Sequence, residues 1–146
     1  MKAKDWTLLA LAAAEGKPLS PVQLQKSLFL LGQRFNEDLN EFYTFDAYDY
    51  GPFCKQIYQD GRELSDEGLA HIQIGRWKQY AATSEGLERA AKLRQDDSIS
   101  EAVKYLQLAV DWTRRLSFQD LVRSIYASFP EYRTNSVFKD PTPQRP

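Results

Sequence analysis

The chain has 146 residues, 42% apolar and 13% aromatic, with 19 basic and 20 acidic side chains for a formal charge of -1; this describes one self-sufficient globular domain, excludes a largely disordered chain and gives no general pull toward nucleic acid. The longest apolar run, 8–14, is far short of the roughly 20 residues needed to cross a bilayer. No signal-peptide cleavage pattern accompanies it, so the expected location is the cytoplasm, and one cysteine with one histidine excludes an internal disulfide and leaves too few soft ligands for a zinc centre.

Residues 5–15 form a run of good helix formers stopped by Gly16-Lys17-Pro18. Ser20 as N-cap, Pro21 at the first helical position and Gln23 closing a capping box predict a second helix over 21–35. Its buried stripe is Leu24, Leu28, Leu31 and Phe35, with Gln25, Lys26, Gln33 and Arg34 facing elsewhere. Residues 42–48, rich in aromatic and β-branched types, read as a short strand or extended segment before the turn Asp49-Tyr50-Gly51-Pro52. Proline suits a first helical turn, so a third helix is expected over 52–67, with Gly68 as its C-cap. On that helix Phe53, Ile57, Gly61 and Leu64 share the buried face. Lys55, Gln59, Arg62 and Asp66 form one exposed stripe, and Gln56, Asp60, Glu63 and Glu67 the next.

Residues 69–74 and 77–82, separated by Gly75-Arg76, read as a β-hairpin. Thr83 or Ser84 caps a fourth helix through Leu93; Ser98 with Glu101 forms a capping box for a helix over 99–114; Ser117 caps a last one over 118–129, ended by Pro130. The proline-bearing tail 139–146 is expected to be flexible.

Three helices, a hairpin and a further helix make a mainly α fold with a small β-hairpin wing: a winged helix-turn-helix-like core over about 5–95, with additional C-terminal helices over about 98–130, in one domain over 1–138. Three strings, Leu24-Gln25-Lys26-Ser27-Leu28-Phe29-Leu30-Leu31, then Tyr50-Gly51-Pro52-Phe53 with Ile57-Tyr58, then 121–126 with Phe129-Pro130-Glu131-Tyr132 and Asn135-Ser136, resemble the YwgA-like proteins and the related SocA/Panacea (GepA-like) family. The resemblance runs from about Ser20 to Ser136. It implies a bacterial or phage protein that binds another protein, as an antitoxin holds a toxin or an adaptor serves a protease. Two features depart from a DNA-reading winged helix: the second helix is long, and about sixteen residues separate it from the third.

The expected partner surface comprises Tyr50, Phe53, Lys55, Gln56, Gln59, Arg62, Arg76, Trp77 and Lys78. Lys55, Gln56, Gln59 and Arg62 are types that read bases or grip phosphate, yet the helix over 52–67 carries two bases and four acids, which a phosphate backbone repels. Trp77 between two basic residues stacks on a nucleobase, anchors a protein interface or folds back onto the core. Tyr48, Tyr50 and Phe53 either form a partner-binding cluster or fix the start of the third helix. Cys54 reads as a small buried side chain rather than a nucleophile, and no catalytic group, metal or cofactor is expected. A protein partner is therefore favoured. Duplex DNA is the alternative, bound by a homodimer through the C-terminal helices.

Overall fold

The computed structural model describes residues 1–138; the tail expected to be flexible, 139–146, lies outside them. The fold is mainly helical, with two small antiparallel hairpins. Helix α1 (Ala3–Ala13) is the hub. Every residue from Trp6 to Ala14 is buried, because a helix apolar all round has no wet face to offer and must be surrounded. It is packed by α2 (Pro21–Phe35), α3 (Lys55–Asp66), α4 (Ser84–Leu93) and α5 (Ser100–Arg115). Glu15 and Gly16, both at positive φ, turn the chain out of it.

Helix α2 starts as expected: Gln23 N–H donates to Ser20 Oγ at 3.2 Å, and Ser20 N–H donates to Gln23 Oε1 at 2.9 Å. Its burial is wider than one stripe. α1 and α5 cover one side; α6 (Phe118–Ser128) covers another through a second cluster of Phe29, Leu121 and Ile125, where Phe29 meets Phe45, Phe129 and Tyr132 edge-on. Gln25 and Lys26, expected to face away from the core, are therefore buried at 1% and 3% exposure.

The second correction concerns Pro52. It does not open α3 but lies in β2 (Gly51–Phe53), which pairs with β1 (Asp46–Tyr48) across the two-residue turn Asp49-Tyr50. Gly51, at φ +106, permits that turn. Pro52, opposite Ala47, occupies one of only two strands, where a missing N–H is tolerated. The extended segment expected at 42–48 thus gives a strand only from Asp46. Cys54 becomes the N-cap residue of α3, and Gly68 at φ +78 follows its C-cap, with Leu69 N–H reaching Leu64 O at 2.8 Å.

The expected second hairpin is present as β3 (Ala70–Ile74) and β4 (Lys78–Ala82). Leu19, between α1 and α2, adds to its outer edge: Leu19 N–H donates to Tyr80 O at 2.7 Å and Tyr80 N–H donates to Leu19 O at 2.9 Å. Thr83 caps α4 and Ser117 caps α6. Ser98 does not cap α5. Its hydroxyl and N–H are both held by Asp96, which folds 97–99 into a 3-10 turn and moves the helix start to Ser100. No helix among the described residues is long and apolar enough to cross a membrane.

Candidate functional site

The sequence string around Lys26 and the string around Pro52 meet in space. Lys26 Nζ donates to Pro52 O at 2.9 Å, while Gln25 Nε2 donates to Cys54 O at 2.8 Å and Cys54 N–H returns a bond to Gln25 Oε1 at 2.9 Å. The β1–β2 hairpin is thereby tied to α2. Between them opens a groove of about 770 Å³ whose lining includes Val22, Tyr48, Tyr50, Phe53, Tyr58, Trp77 and Phe118, with Lys26 and Gly51. This volume is that of an ordinary ligand site.

Ring contacts organise the groove. Tyr48 stacks on Phe53 at 5.0 Å between centroids, Phe53 meets Tyr58 at 5.5 Å, and Tyr58 lies parallel to Tyr80 at 6.0 Å. On the other side Tyr50 meets Phe118 edge-on at 5.1 Å. Yet Tyr48, Tyr50, Phe118 and Trp77 remain 54%, 43%, 44% and 72% exposed, so the rings are preorganised without being covered.

Lys26 is the buried charged group of this groove. Burial alone brings its ammonium down to about 7, because the charged form has lost its water and no carboxylate among the described residues forms an ion pair with it. Tyr58, half-buried beside Tyr80, is pushed up to about 12 by the loss of its hydration.

Of the nine expected partner residues, Tyr50, Phe53 and Trp77 line the groove. Trp77 does not fold back onto the core, and Arg76 lies over its ring at 5.9 Å. Arg76 and Lys78 are exposed beside it; Lys55 and Arg62 are exposed on α3, and Gln59 is half-buried there. Gln56 belongs elsewhere. Its amide donates to Asp60 Oδ1 at 2.8 Å, in a more polar cleft of about 490 Å³ lined by Lys2, Lys4, Tyr43, Cys54 and Glu63 among others.

Asp60, expected on an exposed stripe, is only 5% exposed. Tyr43 Oη donates to its Oδ2 at 2.5 Å and sits 2.6 Å from Thr7 Oγ1. A helical carboxylate can be buried here because both its oxygens find donors. Burial also raises the neighbouring Cys54 thiol above its usual range, in the less reactive protonated form. Lys4 bridges Glu63 at 3.3 Å and Glu67 at 2.7 Å along the same cleft. Among the described residues no group of three His, Cys, Asp or Glu side chains is placed to hold a metal ion.

Lys26, Tyr58, Phe118 and Val22 are groove residues that the sequence did not single out. A charged residue inside a leucine-rich helix was the available signal for Lys26. Phe118 comes from a helix distant in sequence and carried none. No family model, curated protein or solved structure matches the chain.

Proposed function

We propose that the chain is a non-enzymatic protein-binding module, a winged-helix-like core with two C-terminal helices that holds an apolar segment of a partner in its aromatic groove, in the manner of an antitoxin or adaptor. The observation that carries this reading is the groove itself, where ordered but uncovered aromatic rings surround a mainly apolar space. Large rings held in place lose little entropy on binding and dominate interface energetics. The winged-helix reading is supported by the hairpin that follows α3 and by the isolated bridge between Leu19 and Tyr80 of β4, which ties the hairpin's edge to the segment between α1 and α2.

Duplex DNA is the less favoured partner. Exposed Arg76 and Lys78 on the hairpin suit it, but exposed Glu63, Asp66 and Glu67 on α3 oppose the phosphate contacts that Lys55 and Arg62 could make. The test is co-expression with the products of adjacent genes, followed by capture through the tagged chain. A specific protein should co-purify with the wild type and be lost, by about tenfold or more, with Tyr50→Ala or Trp77→Ala. Absence of any such protein, together with salt-sensitive retention of random duplex DNA that weakens in Lys55→Ala, Arg62→Ala and Arg76→Ala, would replace this reading with the DNA-binding one.

A further inference from the structure

The groove has one feature that a purely apolar docking surface has no use for. Lys26 lies at its floor, 3% exposed, and carries three donors of which one is used, on Pro52 O. A buried ammonium without a counter-charge is costly, and the surrounding polar groups do not relieve it. Gln25 is committed at both ends to Cys54, and Asp49, which also lines the groove, forms no ion pair with it. Gly51 adds the access. It presents no side chain at the point where a Cβ would lie 3.6 Å from Lys26 Nζ, and its φ of +106 disfavours any residue that would bring one.

Resting on the protein-binding reading above, we propose that the groove receives the C-terminal end of a partner polypeptide, its last apolar side chains among the rings and its terminal carboxylate on Lys26. The charges are complementary, and a charge-assisted bond in a desolvated site is among the stronger single contacts available to an interface. A chain end suits the floor better than an internal acidic residue. It delivers a carboxylate without a main chain that continues past it, whose own N–H and C=O groups would find the Gln25 amide already engaged.

The experiment uses the full chain, immobilised, and four probes: N-acetylated pentapeptides randomised among apolar residues with free carboxylate ends; the same mixture as carboxamides; amidated mixtures with one internal glutamate; and sodium decanoate. Retention is read by mass spectrometry. The free-carboxylate mixture should be retained about tenfold more than the carboxamides, and the preference should vanish in Lys26→Gln, which keeps a donor for Pro52 O but no charge. Circular dichroism reports whether that variant folds; the comparison of free and amidated ends on the wild type stands without it. Equal retention of both ends, dependent on Trp77, overturns the carboxylate site and leaves the groove reading intact. Glutamate peptides held as well as free ends overturn the end-on mode. Decanoate held while peptides are not makes this a small-molecule site, and no retention of any probe overturns the groove reading as well.

Discussion

The 2.9 Å bond from Lys26 Nζ to Pro52 O joins the middle of a buried helix to a proline in a two-stranded hairpin. The proline sits where its missing N–H is harmless, and its carbonyl, free of any need to cap a helix, becomes the ligand of a lysine that has no other acceptor among the described residues. The consequences are measurable.

The first concerns pH. Lys26 is held near 7 in the folded chain against an ordinary 10.5, so between those values the unfolded chain binds a proton that the folded chain does not. Stability therefore rises with pH in that window, and below about 7 both states are charged and the burial penalty is fully felt. Between pH 7 and 8.5 the gain should be about 2 kcal/mol. Cys54, and then Tyr58, work the other way: burial raises their folded values, the unfolded chain loses those protons first, and from about 9 upward this offsets the gain from Lys26. Urea denaturation at stepped pH, wild type against Lys26→Met, checks this; identical slopes for the two would contradict it.

The second concerns the buried hydroxyl network. Tyr43→Phe removes the donor to Asp60 Oδ2 and the partner of Thr7 Oγ1 while keeping the ring. An unsatisfied buried carboxylate oxygen costs about 2 kcal/mol or more. The variant should lose that much in urea denaturation, whereas a loss under about 0.5 kcal/mol would mean that the network contributes no net stability.

A third follows from the approach of α4 to the base of the β3–β4 hairpin. A Cβ on Gly86 would lie 1.9 Å from Leu69 O, a backbone atom, and that carbonyl already accepts from Thr83 N–H at 3.1 Å. Gly86→Ala must push the helix away from the hairpin, at about 3 kcal/mol. Calorimetry should show the melting temperature falling by about 10 °C; an unchanged value would show that the contact relaxes freely.

The fourth reads Trp77 directly. Of the three tryptophans Trp6 is 2% exposed, Trp112 half-buried and Trp77 72% exposed, so acrylamide should quench Trp77 most readily. Trp77→Phe should remove most of the quenchable emission. If quenching is unaffected by that change, Trp77 is covered in solution.

Local signals carried much of the architecture. Ser20 with Gln23, Thr83 and Ser117 mark three helix starts, and Gly68 marks the end of another, because each needs only neighbours along the chain. What failed was decided at a distance. Ser98 has an equally good cap sequence, but Asp96 two residues earlier holds both of its donors. Asp60 and Lys26 look outward on a helical wheel, and both are buried: Tyr43 covers one, and the β1–β2 hairpin and α6 close around the helix carrying the other. The aromatic turn and Trp77 were legible as binding material from residue type alone. Their convergence with Phe118 and Lys26 was not, since it depends on where α6 packs.

The β3–β4 ribbon is anchored at one end. Leu19 clamps it at Tyr80, close to the core, while Ile74 and Trp77 at its tip are 79% and 72% exposed. The clamp therefore fixes Tyr80 against Tyr58, whereas Trp77 borders the cleft from the ribbon's exposed end, so one side of the cleft is built from a residue that the core does not hold.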